Sequence, residues 1–327
     1  NINGKYISEN EFVKILEKII LKTNHLELTT FELIILTALN FFETYNVKVI
    51  VLETGLGGRL DATTAHPLRP IIAMGGIGLD HCEHLGNTLE KITKEKAEVI
   101  TPGSIVISAP QQLEVTKILE ETVKRKNAKL KWVKPLEKNW NLGLKGEIQR
   151  ENAAVAKASL EELSNLGFPL KAQNIQRGLS NARWKGRLET AFCDGIPVLL
   201  DGAHNPHAAK KLCQERWKWP GQESGIDWIL AIQSNKDAPL MLKELIKTND
   251  IVWIVEVPNH KSWKATELIN KCPEFSNQII EGKDTKEIIK LIKLNKKSQR
   301  SIPVIAGSLY LIGHLLAHKI ILKGPIE

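Results

Sequence analysis

A carboxylate and a glycine-rich loop directly follow an apolar run in the first fifth of the chain. Residues 47–52 are apolar apart from one lysine, which predicts a strand covered on both faces of a parallel sheet. The run ends at Glu53, the glycine-rich stretch 55–58 follows, and Arg59 and Asp61 add charge beside it. Because α/β sheets bind ligands at the carboxyl ends of their strands, this order of residues indicates a phosphate and metal site.

The glycine-rich loop does not match the Walker A phosphate-binding loop. That loop needs a lysine followed by serine or threonine at the end of the glycine turn, and no stretch of the 327 residues has this order. A tight strand-to-helix turn without chemistry is therefore the alternative interpretation of this segment.

A second glycine-rich strand exit ends in side chains that can bind metal. The apolar residues 71–74 lead into it, and Asp80, His81, Glu83 and His84 follow within five residues of each other. Carboxylate and imidazole groups can bind a divalent ion, and nucleotide enzymes often hold Mg²⁺ with one or two protein ligands plus phosphates and water. A polar loop with helix-capping acids is the alternative.

A third loop joins a carboxylate to the start of a helix. Asp201 ends an apolar strand, Gly202 allows a turn, and Asn205 and Pro206 are typical of the N-cap and first position of a helix. A helix amino terminus attracts anions, and we expect Asp201 and His204 to lie beside it at the carboxyl edge of the strand. An ordinary strand-to-helix turn is the alternative.

Composition indicates an ordinary globular protein. The 327 residues are 43% hydrophobic and 25% charged, enough for about two domains with real cores. The net charge of +8 and the sequence pI near 9.1 suit an acidic partner such as a nucleotide or a polyanionic substrate. The densest basic segment, residues 290–300, has the pattern of an amphipathic helix tail, so nucleic-acid binding is not expected.

The cysteines and the apolar stretches indicate a cellular compartment. Cys82, Cys193, Cys213 and Cys272 have no spacing typical of a zinc or redox motif. The longest apolar stretch lies within residues 31–42 and is too short to span a bilayer. We therefore expect a cytoplasmic protein.

Helical and strand patterns alternate along most of the chain. A capping box at residues 29–32 predicts a helix to about residue 45, and the strand at 47–52 follows at once. The other predicted elements are helices 88–100, 112–126 and 151–166, and strands 71–74, 104–108, 198–201, 228–232, 251–257 and 303–306. The alternation predicts an α/β fold with a mostly parallel sheet, and a domain boundary near residues 180–187.

Eight segments in chain order carry a family resemblance. They are residues 53–63 (Glu-Thr-Gly-Leu-Gly-Gly-Arg-Leu-Asp-Ala-Thr), 79–81, 95–97, 149–153, 186–189, 201–206, 235–237 and 307–310. This set resembles the folylpolyglutamate synthase and dihydrofolate synthase ligases of the Mur ligase superfamily. The resemblance implies that residues 1–183 form a P-loop or Mur-ligase type central domain that binds ATP and is incomplete at its N-terminus. Residues 184–327 would form a smaller, Rossmann-like C-terminal ligase domain.

The resemblance also implies an ATP-dependent amide ligase of folate biosynthesis. In this family a carboxylate takes the γ-phosphoryl group of ATP, and an amine of glutamate then attacks the acyl phosphate. The small-molecule partners would be ATP, L-glutamate, and dihydropteroate or a reduced folate, with Mg²⁺ as the metal and K⁺ as a further candidate ion. We expect a monomer without nucleic-acid or membrane partners.

The resemblance assigns metal and catalytic roles to residues in the first half of the chain. Glu53 and His81 would be Mg²⁺ ligands. Lys96 matches a lysine that the family carbamylates, which turns an ammonium into a carboxylate-like group. By itself, the charge spacing of residues 90–98 indicates an exposed helix with ion pairs. The resemblance replaces that interpretation with a catalytic role for Lys96.

The resemblance also assigns residues of the second half of the chain, and Asn152 before it, to nucleotide binding. The resemblance implies that Asn152 approaches the adenine, that Arg187 approaches the phosphates, and that Asp201 and His204 contact the nucleotide at the domain interface. The implied catalytic set is Lys96, His81 and Arg187.

The chain departs from the family at its start. The family begins with a strand, a Gly-Thr-Asn-Gly-Lys-Gly-Ser-like P-loop and a Ser-Pro-His loop, and residues 1–8 resemble the segment just after them. We therefore expect a fragment of a longer protein, inactive alone because the P-loop holds the β- and γ-phosphates. The alternatives are a non-catalytic nucleotide-binding paralogue and a Mur-type peptidoglycan ligase.

Overall fold

A computed structural model describes residues 1–294 and 300–323, and its strands form a three-stranded and a seven-stranded sheet. Lys296 and Lys297, in the basic segment predicted to be a helix tail, lie outside the described residues. Across the described residues, no helix combines the length and the apolar character needed to cross a membrane.

Helices and strands alternate along the described chain. The helices are α1 (Glu9–Thr23), α2 (Thr30–Thr44), α3 (Cys82–Leu85), α4 (Leu89–Ala97), α5 (Leu113–Arg125), α6 (Glu147–Asn165), α7 (Ala172–Asn181), α8 (Pro206–Glu215), α9 (Ala238–Leu245), α10 (Ala265–Lys271), α11 (Thr285–Leu294) and α12 (Leu309–Ala317). The strands are β1 (Ile71–Met74), β2 (Ile105–Ser108), β3 (Lys129–Trp132), β4 (Glu189–Cys193), β5 (Ile196–Leu200), β6 (Asp227–Leu230), β7 (Ile251–Ile254), β8 (Ile279–Glu281), β9 (Val304–Ala306) and β10 (Leu322–Lys323). Apart from the strand at 47–52, each predicted helix and strand overlaps one of these elements.

The chain divides into two compact units. One, here called the N-terminal unit, contains residues 1–72, 81–106 and 112–130. The other, the C-terminal unit, contains residues 73–80, 107–111 and the chain from residue 131 onward. The two units are compact groups of segments that interleave along the chain. The predicted boundary between residues 183 and 184 instead divides the chain into two successive domains, and it stays a prediction.

Helices α1 and α2 pack together in the N-terminal unit. Their contact buries Ile15, Ile19 and Phe41. Helix α2 starts with the predicted capping box, in which the Glu32 N–H donates to the Thr29 hydroxyl and the Thr29 N–H donates to the Glu32 carboxylate at 2.7 Å. The reciprocal bonds satisfy two backbone donors that a helix start leaves without partners, which is why this boundary was predictable from sequence.

The strand predicted for residues 47–52 is absent, and that prediction is wrong. The segment belongs to neither sheet of the described residues, and Val49, Ile50 and Val51 are exposed by 38%, 40% and 91%. A strand forms only where neighbouring backbone accepts and donates its hydrogen bonds, and an apolar run does not reveal whether such a neighbour is present. Glu53 therefore follows an irregular stretch.

The seven-stranded sheet lies in the C-terminal unit, with the order β10-β4-β5-β9-β6-β7-β8. The strands from β5 to β8 in this order pair in parallel, and β4 and β10 extend the sheet with antiparallel pairs. β9 lies between β5 and β6 although the chain passes from β5 through α8 to β6. Such a change of strand order leaves a crevice at the carboxyl edge of the sheet.

Alternating side chains fill two cores, one on each face of this sheet. Trp228 and Leu230 of β6 pack into a cluster with residues of α8, α9 and α10. Ile229 packs into a second cluster with residues of α11 and α12. All three side chains are fully buried, which explains why the strand reads as a continuous apolar run. The parallel strands are thus held rigidly from both sides.

A buried ion pair joins the end of α8 to the sheet. Arg216 and Asp250 make two hydrogen bonds of 2.6 and 2.7 Å, and they are exposed by only 8% and 2%. Asp250 also accepts the N–H of Ile226 at 2.9 Å and the indole N–H of Trp228 at 3.0 Å. The carboxylate therefore satisfies donors from the end of α8 and from the start of β6.

Replacing Asp250 by alanine should lower the free energy of unfolding by about 3–5 kcal/mol, because the Arg216 guanidinium would stay buried without its partner. Urea unfolding followed by tryptophan fluorescence measures this loss. The control is Glu274→Ala, which removes one carboxylate of the exposed Lys243–Glu274 pair and should leave the midpoint unchanged. Equal destabilisation of both variants would contradict the role given to the buried pair.

Candidate functional site

Three loops leave the carboxyl edge of neighbouring parallel strands in the C-terminal unit. β5, β9 and β6 are adjacent in the sheet, and the chain leaves them through Asp201, Ser308 and residues 233–237 respectively. Because neighbouring parallel strands end at the same edge, side chains that are distant in sequence come close there. This edge is the candidate site of the C-terminal unit.

The buried Asp201 carboxylate connects two of the sequence motifs. Its Oδ2 accepts the N–H of Leu188 at 3.0 Å, and its Oδ1 accepts the N–H of Ala203 at 2.9 Å. Leu188 has a φ of 45°, a left-handed conformation that costs about 1–3 kcal/mol at a residue with a side chain. Burial raises the pKa of Asp201, although the backbone donors and the positive charge of Arg187 oppose the shift.

His204 and Asn205 form the entry to α8. The Asn205 side chain accepts the N–H of Ala208 at 2.8 Å, and Pro206 occupies the first helical position, as the sequence predicts. Nδ1 of His204 lies 2.8 Å from the Gly202 carbonyl. A carbonyl only accepts, so Nδ1 carries the proton of this bond and Nε2 is the nitrogen left for other contacts.

Asp80 is the centre of a polar cluster in the same unit. Its carboxylate accepts from Nζ of Lys236 at 2.7 Å and from Nδ2 of Asn205 at 2.8 Å, and it lies 3.6 Å from Nε2 of His204. Burial would raise the pKa of Asp80, but His204, Lys236 and Asn205 together hold it well below its usual range. Asp80 is thus an anion that orders two loops.

Lys236 is the residue of this cluster that the sequence prediction missed. The motif at residues 235–237 carries it, but nothing local indicates its partner, which lies 156 residues earlier in the chain. The sequence did show that both residues follow strands, since Lys236 comes after a buried strand and Asp80 after a glycine-rich strand exit. That shared position was the one indication that the two side chains could meet. The metal-binding interpretation of Asp80 did not include this ion pair.

Helices α6 and α8 approach the glycine-rich stretch after β1. Oδ1 of Asn152 lies 3.8 Å from the position of a Cβ added to Gly75, and Nδ2 of Asn152 donates to Gln149 at 3.1 Å. A Cβ on Gly78 would lie 2.5 Å from Cγ of His207, so this position admits only glycine without rearrangement. The predicted adenine contact, Asn152, therefore lies beside the strand exit.

Asp61 shapes the glycine-rich loop of the N-terminal unit. Its Oδ2 accepts the N–H groups of Gly55 at 2.9 Å and Leu56 at 2.8 Å, and its Oδ1 accepts the N–H of Thr63 at 3.0 Å. Burial would raise the pKa of Asp61, but these bonds and the one from the Thr63 hydroxyl lower it. The negative charge of Asp61, which the sequence analysis noted beside the loop, therefore holds the backbone of the loop.

The same loop lies against the end of α4. A Cβ on Gly58 would lie 2.6 Å from the Glu95 carbonyl and 3.1 Å from the Lys96 carbonyl, so a larger residue would push the loop away from the helix. Nε of Arg59 donates to the Glu95 carboxylate at 3.1 Å. The structure thus brings the first sequence motif next to the turn that carries Lys96.

The predicted metal ligands provide an incomplete set by themselves. Glu53 is exposed, and His81 has a φ of 51°, a left-handed conformation that is uncommon outside glycine and clusters at functional positions. Among the described residues no group of three or more His, Cys, Asp or Glu side chains is placed to hold a metal ion. One carboxylate and one imidazole still fit Mg²⁺, which keeps water and phosphate ligands in nucleotide sites.

The predicted site residues fall into two sets. Asn152, Arg187, Asp201 and His204 belong to the C-terminal unit, and Glu53, His81 and Lys96 belong to the N-terminal unit. Within the first set, Asp201 is tied to the residues next to Arg187 and His204. The individual roles of all seven residues stay predictions.

Sequence comparison relates the chain to folate enzymes. Residues 187–318 match the C-terminal domain of dihydrofolate synthetase. The chain is 30% identical to a probable dihydrofolate synthetase of Schizosaccharomyces pombe, with 96% of this chain and 82% of that protein covered. It is 29% identical to a dihydrofolate synthase/folylpolyglutamate synthase of Bacillus subtilis, with 96% and 79% covered.

Solved structures share the fold. A bifunctional folylpolyglutamate synthase/dihydrofolate synthase from Yersinia pestis, with Mn, AMPPNP and L-glutamate bound, matches with a TM-score of 0.81 at 25% identity, covering 98% of this chain and 78% of that one. A Mycobacterium tuberculosis folylpolyglutamate synthase, complexed with ADP and AMPPCP, has a TM-score of 0.82 at 22% identity, covering 96% and 80%. The predicted α/β fold class is confirmed.

Fold and sequence together define an ATP-dependent ligase, as predicted. The chain belongs to the dihydrofolate synthetase and folylpolyglutamate synthase family. The AMPPNP and Mn bound in the Yersinia pestis structure agree with the predicted cofactors ATP and a divalent metal.

The backbone bonds of Asp61 should make the glycine-rich loop sensitive to acid. Because the folded-state pKa of Asp61 is lowered, its ionised form stabilises the loop above the ordinary value of 3.8 and loses that effect as the pH falls through the lowered pKa. Protection of the Gly55 and Leu56 amides from exchange should fall below pH 3.8 as Asp61 takes up a proton, and it should be the same at pH 7 and pH 5. Asp61→Asn should lose this protection at both values, and unchanged protection would contradict the role of the charge.

Lys236→Met should raise the pKa of Asp80 towards its ordinary value, because the variant removes a charged donor from the carboxylate. Carboxyl carbon NMR titration of the aspartates measures this. Lys243→Met, a change at an exposed lysine on α9, serves as the control and should leave Asp80 unaffected. An unaltered Asp80 titration in Lys236→Met would show that the ion pair is not formed in solution.

Proposed function

We propose that this chain forms the nucleotide and substrate machinery of an enzyme that adds L-glutamate to dihydropteroate, to folylpolyglutamate, or to both. Relatives at 29–30% identity carry the names of these reactions. The observation that carries the proposal is the placement of Arg187, Asp201 and His204 at the carboxyl edge of parallel strands. That edge is where α/β sheets bind nucleotides.

The proposed reaction has two displacement steps. A substrate carboxylate oxygen attacks the γ-phosphorus of ATP, the bond to the β-phosphate oxygen breaks, and ADP leaves. The amine nitrogen of glutamate then attacks the acyl carbon, inorganic phosphate leaves with the bonding electrons, and the nitrogen loses a proton. Phosphoryl transfer of this kind depends on positioning and on cations that neutralise charge spreading over the phosphate oxygens.

Asp201 supports the reaction by orienting its neighbours. Its two oxygens bind the N–H groups of Leu188 and Ala203, which are adjacent in sequence to Arg187 and His204. One buried carboxylate therefore sets the backbone from which the Arg187 and His204 side chains extend. Arg187 is assigned to the phosphates, where a guanidinium can make paired, charge-assisted hydrogen bonds.

Glu53 and His81 are proposed to hold Mg²⁺ together with the nucleotide phosphates. When bound, the ion neutralises phosphate charge and lowers the barrier to attack at phosphorus. Lys96 lies on the last turn of α4, where the backbone of the glycine-rich loop closely approaches it. As a carbamate it would supply a further anionic group to position the metal.

A non-catalytic nucleotide-binding role is the second candidate, favoured by one observation. No Walker A sequence occurs in the 327 residues, so the usual cradle for the β- and γ-phosphates is not among them. A Mur-type peptidoglycan ligase is disfavoured, because the relatives compared above are named for folate reactions. Parallel assays with dihydropteroate and with a UDP-linked muramyl substrate separate the two ligase classes.

We expect the 327-residue chain to bind ADP and to show no turnover by itself with ATP, Mg²⁺, L-glutamate and dihydropteroate. Calorimetry measures the first and phosphate release the second. Arg187→Ala should weaken ADP binding about tenfold, because a charge-assisted phosphate contact is lost. The control is Arg183→Ala, whose guanidinium donates to the nearby carbonyls of Ser180 and Ala182.

The outcomes of this experiment are distinct. No ADP binding by the unaltered chain, or equal losses in both arginine variants, would contradict the proposed nucleotide site. Glutamate-dependent product from the isolated chain would contradict the expected inactivity and would establish the ligase reaction directly.

A further inference from the structure

Helix α6 begins without a capping side chain of its own. Its N-cap is Gly146, which has no side chain to accept the first N–H groups of the helix. These backbone donors need partners, since a helix start leaves four of them outside the helical hydrogen-bond pattern. The partner must therefore come from elsewhere in the chain.

Glu215, at the end of α8, supplies that partner. Its Oε1 accepts the N–H of Glu147, the first residue of α6, at 2.5 Å, and Glu215 is only 3% exposed. A carboxylate is the strongest common acceptor for such a group, and the positive end of the helix dipole favours its charge. Glu215 thus caps α6 in trans.

Lys218 completes the arrangement. Its Nζ donates to Oε2 of Glu215 at 2.7 Å and to the Glu147 carboxylate at 2.7 Å. The second oxygen of Glu215 is therefore also bonded, and its buried charge has a cationic partner, which a buried carboxylate requires. Lys218 holds the capping residue in place and binds the first side chain of α6.

The backbone of α6 approaches this cap closely. Gly146 has a φ of 110°, and a Cβ added there would lie 2.6 Å from Cδ1 of Leu188 and 3.6 Å from Cδ of Glu215. Only glycine tolerates both the conformation and the contact. The start of α6 is thus seated on Leu188, whose N–H is bound by Asp201.

The next turn of α6 carries a second tie and the predicted adenine contact. Lys211 of α8 pairs with Glu151 of α6 at 3.2 Å, and Asn152 is the following residue. The Asn152 amide is oriented by its bond to Gln149. Because a helix is rigid over two turns, a shift at Glu147 is carried to Asn152.

We propose that Glu215 is a positioning residue for nucleotide binding: by capping α6 in trans, it sets the position of Asn152 at the adenine. This inference rests on the proposed function for the role of Asn152. It predicts that Glu215 controls recognition of the adenosine part of a nucleotide and has no effect on recognition of its phosphates.

The test compares Glu215→Ala and Glu215→Gln with the unaltered chain. Alanine removes the acceptor, so amide exchange in residues 147–152 should become about tenfold faster and adenosine and ADP should bind about tenfold more weakly. Glutamine keeps an acceptor oxygen and should restore most of both properties. Affinity for inorganic triphosphate, measured by the same calorimetry, should not change in either variant.

Two further variants keep the test decisive. Glu223→Ala removes an exposed carboxylate that accepts from the Gln222 side chain, and it should change neither exchange nor affinity. Lys218→Met leaves Glu215 present but loosened, and it should give a smaller loss in the same direction. It replaces Glu215→Ala if that variant does not fold.

The results separate the inference from the proposed function. Unchanged exchange at the start of α6 in Glu215→Ala would overturn the capping role. Faster exchange with unchanged adenosine affinity, or an equal loss of triphosphate affinity, would overturn the positioning role. Failure of the unaltered chain to bind ADP or adenosine would instead overturn the proposed nucleotide site, and the positioning role with it, while exchange would still decide the capping role.

Discussion

The carboxylate of Asp201 is the interaction on which the candidate site most depends. Where the chain leaves a strand, its N–H groups lose their partners in the sheet, and a buried N–H without a partner costs about 1–3 kcal/mol. Asp201 supplies both partners at once, for Leu188 and for Ala203. It thereby joins the loop before β4 to the loop after β5, and it offsets the left-handed strain at Leu188.

A carboxylate that accepts backbone N–H groups also holds irregular backbone at other places in the described chain. Asp61 binds three N–H groups around the glycine-rich loop, Asp250 binds Ile226, and Glu215 binds the start of α6. Each carboxylate accepts several bonds in a small volume, which suits places where no second strand is available. The nearby glycines follow from the same need, because backbone donors reach a short side chain only at close approach.

Sequence reasoning succeeded where the determining forces are local. The capping box at Thr29 and the Asn205 cap of α8 both depend on neighbours within a few residues. It failed for residues 47–52, because a strand needs hydrogen-bonding neighbours that the run itself does not show. For the candidate site, the sequence predicted which loops follow strand ends and which motif residues those loops carry. The Asp80–Lys236 pair was not, because only the assembled sheet brings its partners together.

The charges at the sheet edge set a condition on how an anionic ligand can bind. The chain carries a net charge of +8, yet Lys236 is committed to Asp80, and Arg187 lies near the charge of Asp201. Opposite charges this close partly cancel, so Lys236 and Arg187 are partly compensated before a ligand binds. A triphosphate brought there by the general positive field therefore needs further cations at close range. That requirement gives a physical reason for a divalent metal in this ligase family, independent of which residues hold it.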